Sequence, residues 1–80
     1  MRLLAADIGN SNTGLGLFED DVLVGSWSAE TDPRATDDEL AATVTGLLAL
    51  DGHRLDDVDA AALACVVPPL VARWTRMLAR

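Results

Sequence analysis

The residues of this chain whose types and spacing could do chemistry stand close together: Asp7, Gly9, Asn10, Ser11, Asn12 and Thr13. The apolar run Leu3-Leu4-Ala5-Ala6 comes before them and Gly14-Leu15-Gly16-Leu17-Phe18 after them, which reads as strand, turn, strand. Asp7 then falls at the carboxyl end of the first strand. Gly9 lets a backbone approach closely, because no Cβ stands in the way. The short side chains that follow add donors, and successive N–H groups in such a turn can surround an anion. A carboxylate facing such donors suits a Mg²⁺–triphosphate, which needs donors for its oxygens and an acid for the metal or its waters. The same Asp-x-Gly-Asn pattern also occurs in hairpins that bind nothing, and Gly-Asn or Asn-Ser is an ordinary turn signal.

Several elements must position this turn. Arg2 to Ile8 is almost continuously apolar and predicts a central strand covered on both faces. Gly14 to Phe18 predicts a second strand, and Glu19-Asp20-Asp21 a tight turn. Val22 to about Trp27 predicts a third strand, with Val22, Val24 and Ser26 on one face and Leu23, Gly25 and Trp27 on the other. Thr31-Asp32-Pro33-Arg34-Ala35 is a linker, since Pro33 cannot donate to a ladder. Thr36-Asp37-Asp38-Glu39 has the form of a capping box opening a helix over residues 37–50. Leu40, Val44, Leu47 and Leu48 share a face of that helix, and Gly52 is its stop. Val58 to Val67 predicts a fourth strand, parallel to the first through a right-handed crossover. Pro68-Pro69 then opens a second helix carrying Leu70, Val71, Trp74, Met77 and Leu78. The order β-β-β-α-β-α over a mixed sheet is the α/β opening of the ribonuclease H-like fold.

Composition narrows the function. Eighty residues make one domain or part of one. The net charge is −7 and there is no lysine, which disfavours a nucleic-acid partner and excludes a Walker-type phosphate loop. Gly14-x-Gly16 opens no helix, so it is no dinucleotide fingerprint. The acidic clusters read as solvated turns and helix starts. Cys65 is the one cysteine, so no internal disulfide is possible, and its apolar setting reads as a small buried hydrophobe. His53 reads as a solvated loop side chain with no second ligand at usable spacing. No run reaches membrane-spanning length and the N-terminus makes no complete signal peptide, so the expectation is a cytoplasmic protein with no membrane partner.

A ribonuclease H-like opening admits two chemistries. A two-metal nuclease needs a carboxylate near the end of the fourth strand. Here that end reads Ala64-Cys65-Val66-Val67-Pro68, without an acid. Together with the negative charge this disfavours a nuclease, and the other chemistry is phosphoryl transfer from ATP, in which the first hairpin holds phosphates and Asp7 helps hold Mg²⁺. Asp7-Ile8-Gly9-Asn10-Ser11-Asn12-Thr13 resembles the first phosphate motif of the type III pantothenate kinases, in the acetate and sugar kinase/Hsp70/actin superfamily, with Ser11 where that family often has Thr. Thr31-Asp32-Pro33-Arg34 through Thr36-x-Asp38-Glu39-Leu40 resembles the family's link into its first helix. Val66-Val67-Pro68-Pro69-Leu70 resembles its fourth-strand exit. The similarity runs along all 80 residues in order.

The resemblance implies ATP-dependent phosphorylation of pantothenate, the first step of coenzyme A synthesis. With it come Mg²⁺, a monovalent cation (K⁺ or NH₄⁺) and a homodimer. Asp7, Ile8, Gly9, Asn10, Ser11, Asn12, Thr13 and Gly14 would form the ATP phosphate segment, with Asp7 orienting the metal-bound phosphate. Members of the family are much longer, and their catalytic base, pantothenate pocket, second phosphate motif and adenosine site lie beyond the position of Arg80. The expectation is therefore the N-terminal part, residues 1–80, of a first ribonuclease H-like ATPase domain, truncated, without its second domain and inactive alone. The alternative is an actin-like filament or plasmid-segregation protein, which shares the Asp-x-Gly-Asn hairpin.

Overall fold

A computed structural model describes residues 1–79 of the chain. Arg2–Ile8 forms β1, Asn12–Glu19 β2 and Val22–Glu30 β3. Asp37–Ala49 forms α1, Ala60–Cys65 β4 and Pro68–Leu78 α2. The sheet order is β3-β2-β1-β4. The first three strands run antiparallel, and β4 lies parallel to β1. Alternation along the strands sets the core. Leu4, Ala6 and Ile8 pair with Leu17, Leu15 and Thr13, and all six are buried. Against this face pack Leu40, Val44 and Leu48 of α1 and Leu70, Trp74 and Met77 of α2, so both helices cover the same side. Fully burying a Leu, Ile or Val side chain contributes about 1.5–3 kcal/mol.

The other side of the sheet is bare, which corrects the expectation that β1 is covered on both faces. Leu3 and Ala5 are only half-buried and Asp7 is exposed. The expectation for the fourth strand also changes. It spans Ala60–Cys65 and is largely exposed, because neither its outer edge nor its outer face meets another element. A short 3-10 turn, Leu55–Asp57, stands before it. Cys65 is half-buried, its thiol donating to the Val67 carbonyl at 3.2 Å.

The turns follow their chemistry. Asp20 and Asp21 both adopt positive φ (47° and 73°) in the two-residue link between β2 and β3, the geometry of a type I′ hairpin turn. Pairing passes from Leu17↔Gly25 to Phe18↔Leu23, so Val24 is an extra residue that bends β3. The bulge also reassigns the faces: Leu23 parts from Gly25 and Trp27 and joins Ser26 and Ser28 on the bare side. β3 extends three residues beyond Trp27, because β2 begins two residues before Gly14 and offers it partners.

The helices end where their signals stand. The Glu39 N–H donates to the Thr36 hydroxyl at 3.1 Å, and the Thr36 N–H to the Glu39 carboxylate at 3.0 Å, completing the capping box. Gly52, at φ 79°, closes α1. Its N–H donates to Ala49 and that of His53 to Leu48, the pair of bonds that defines a Schellman ending. His53 is half-buried rather than solvated. Its ring meets Trp27 edge-on with centroids 5.9 Å apart, and the Trp27 indole donates to Asp51 at 2.7 Å. On the helix side Arg76 grips Asp37 through two bonds, of 2.9 and 3.2 Å, and this pairing raises the guanidinium pKa.

Candidate functional site

Asp7 is carried to its place by strand alternation. Leu4, Ala6 and Ile8 point at the helices, so Asp7 stands on the bare face with Leu3 and Ala5. Across the ladder it pairs with Gly14 on one side and Ala64 on the other, and Gly14 pairs in turn with Ser28. Residues directly opposite in a ladder share a face. The carboxylate therefore stands on a floor of small residues. A Cβ placed on Gly14 would meet nothing within 4 Å. The Asp7 carboxylate has no hydrogen-bond or ion-pair partner among the described residues.

The turn beside it is closed by its own backbone. The Gly9 N–H donates to the Asn12 carbonyl at 2.9 Å. A Cβ on Gly9 would lie 3.0 Å from that same oxygen. The glycine is thus needed first by the turn itself, before any ligand is considered. Asn10 and Ser11 project into solvent. Among the described residues their N–H groups and side chains have no partner, and only the Ser11 carbonyl is engaged. None of residues 9–13 has positive φ, so this is not an alternating αR–αL nest. It offers its donors as a tight turn does.

Two residues of the motif face the other way. Ile8 is fully buried beneath the helices, and its carbonyl accepts from Val66 at 3.1 Å. The Thr13 side chain is also buried, with its hydroxyl 2.8 Å from that of Thr31. Sequence reasoning counted that hydroxyl among the turn's outward donors, and the structure puts it behind the turn. Thr31, read only as linker, also donates its N–H to the Ser11 carbonyl at 2.9 Å. Nothing local marks Thr31, because its contacts exist only once β2 and β3 are in register.

What can this arrangement hold? Among the described residues no group of three or more His, Cys, Asp or Glu could enclose a metal ion. One exposed carboxylate beside free donors does fit Mg²⁺, which binds through one or two carboxylates, water and the phosphates it accompanies. A concavity of about 900 Å³ lies elsewhere. Its lining includes Ala61 and Leu63, which pair with Leu4 and Ala6 and so lie on the helix side. No residue of the 7–14 segment lines it, and it follows from the open edge of β4 rather than from any chemistry.

Three antiparallel strands, a crossover helix, a parallel fourth strand and an acid at the end of β1 define the opening of an actin-like, ribonuclease H-like ATPase domain. A sequence profile of the family described as type III pantothenate kinase matches residues 3–80. The type III pantothenate kinase of Rubrobacter xylanophilus is 42% identical over 77 residues, covering 96% of this chain and 29% of that protein. That of Nocardioides sp. is 40% identical over 80 residues, covering 100% of the chain and 30% of its own length. That of Desulfosudis oleivorans is 46% identical over 68 residues, covering 85% and 27% respectively. The chain belongs to the type III pantothenate kinase family. It spans about three tenths of the length of the curated relatives it matches.

Proposed function

We propose that this chain is the N-terminal part of the first domain of a cytoplasmic kinase that phosphorylates pantothenate with ATP, feeding coenzyme A synthesis. Residues 7–14 form its phosphate-binding segment. One observation carries the placement: the free donors of Asn10 and Ser11 stand beside an unpartnered Asp7 on a bare, glycine-floored face. The N–H groups of the turn take phosphate oxygens. Ile8 and Thr13 contribute through their backbone, since their side chains are buried on the helix side. Asp7 holds Mg²⁺ or its waters and is not the base. When bound, Mg²⁺ would neutralise charge on the phosphates. A monovalent cation and a homodimeric assembly belong to the same reading of the whole protein, and no residue of this chain is assigned to either.

Phosphoryl transfer rests on positioning and charge stabilisation, so one wall of a cleft should not turn over by itself. The test is a chimera. These 80 residues replace the matching stretch of the Rubrobacter xylanophilus protein. ATP-dependent phosphorylation of pantothenate is expected to persist, and Asp7→Asn in the chimera to reduce it sharply. Undiminished turnover in that variant would remove Asp7 from the site. Filaments in place of discrete assemblies on sedimentation with ATP would point to an actin-like segregation protein instead.

A further inference from the structure

The geometry points to Thr31 as a positioning residue that holds the phosphate-binding turn in shape from behind. This inference rests on the reading of residues 7–14 as a phosphate segment.

The turn has little of its own to hold it. Its internal hydrogen bond runs from Gly9 to Asn12, and Asn10 and Ser11 touch no other side chain by hydrogen bonding among the described residues. Beyond the strand pairings at its two ends, two further constraints come from Thr31. Its N–H donates to the Ser11 carbonyl at 2.9 Å, which fixes the tip of the turn. Its hydroxyl lies 2.8 Å from that of Thr13, which fixes the strand end where the turn re-enters the sheet. The Thr13 side chain is buried, so without the Thr31 hydroxyl it would lose its hydrogen-bond partner among the described residues. One residue thus grips the turn at two points, on the side opposite the ligand face.

Thr31 is itself anchored. The linker after it is folded by bonds from Arg34 N–H to the Asp32 carboxylate at 2.9 Å and from Ala35 N–H to the Asp32 carbonyl at 3.1 Å. Arg73 of α2 donates to the Pro33 and Ala35 carbonyls at 2.9 and 3.2 Å. Residues 36–39 then start α1 through the capping box. The turn is therefore tied through Thr31 to both helices. A donor set for phosphate gains from such fixing, because order established beforehand is not lost on binding.

The experiment compares the Rubrobacter xylanophilus chimera described above with its Thr31→Val, Thr31→Ser and Thr13→Val variants. MgATP is titrated while backbone amide shifts of residues 7–14 are followed by NMR, with melting temperature recorded for each variant. Thr31→Val removes the hydroxyl and keeps the shape. It is expected to weaken MgATP by about fivefold, the worth of one hydrogen bond, and to shift the Ser11 and Thr13 amides even without ligand. Thr31→Ser is expected to restore both, and Thr13→Val to reproduce the loss. Should Thr31→Val melt below the assay temperature, Thr13→Val removes the same bond and is read by the same criteria. Thr31→Val binding as tightly as the unaltered chimera, or failure of Thr31→Ser to restore affinity, overturns the positioning role and leaves the site standing. An otherwise unaltered chimera whose residues 7–14 do not respond to MgATP overturns the phosphate reading itself.

Discussion

Gly14 offers the sharpest test of where the ligand lies. A glycine within a strand costs roughly 0.5–1 kcal/mol relative to alanine, through backbone freedom lost on folding. Gly9 needs its missing side chain for the turn, but at Gly14 a Cβ would meet nothing within 4 Å and φ is not positive. The fold therefore supplies no reason for a glycine there. Gly14→Ala is expected to stabilise the chain by about 0.5–1 kcal/mol. For a domain of this size that raises the melting temperature by roughly 2–8 °C. Gly14→Val should do at least as well, since a branched side chain suits a strand. Binding should move in the opposite direction. Residues 7 and 14 are cross-strand neighbours, with Cβ positions about 4.5–5.5 Å apart in such pairs. A valine there rises into the space that a phosphate or metal on Asp7 would fill. MgATP affinity is expected to fall at least about tenfold, a change of some 1.4 kcal/mol. Thermal melting of the chain and MgATP titration of the chimera, each with both variants, give the two quantities. Opposite signs support the bare face as the ligand side. A Gly14→Val chimera that binds MgATP as well as the unaltered one refutes it, and a Gly14→Val chain that melts lower shows that the face is not free.

Two further outcomes are expected. Thr36→Ala removes the helix cap and should cost about 1 kcal/mol by thermal or urea unfolding, and an unchanged midpoint would mean the capping box contributes nothing. The third concerns pH. The Met1 ammonium donates to Asp20 at 2.6 Å, which lowers the pKa of the Asp20 carboxyl from its ordinary 3.8 and raises that of the amino group from 8.0. The carboxylate's contribution is present above its ordinary value and is lost as pH falls through the lowered one. The ammonium's contribution is present below its ordinary value and is lost as pH rises through the raised one. The melting-temperature difference between wild type and Asp20→Asn should therefore have its wild-type-favouring part between those limits and shed it in acid and in alkali. Both groups are fully exposed, so the effect is small. A difference that stays flat with pH would show that the pair does not form in solution.

Much of this protein was legible in the chain because the signals are local. The capping box needs only Thr36 and Glu39, three residues apart on one helix turn. Gly52 and Pro68-Pro69 mark a helix end and a helix start by their own backbone preferences. The antiparallel meander of the first three strands followed from short links, and the acid–glycine–amide turn named the candidate site. What tertiary structure decided is what depends on pairing between distant segments. An apolar strand does not reveal which of its faces is covered, so only the placement of both helices on the Leu4–Ala6–Ile8 side shows that Asp7 stands on bare sheet. The turn of the Thr13 hydroxyl toward Thr31, the edge-on contact of His53 with Trp27 and the space above Gly14 arise in the same way. Each joins residues made neighbours by register, and register is a property of whole strands packed on a core rather than of any short stretch of sequence.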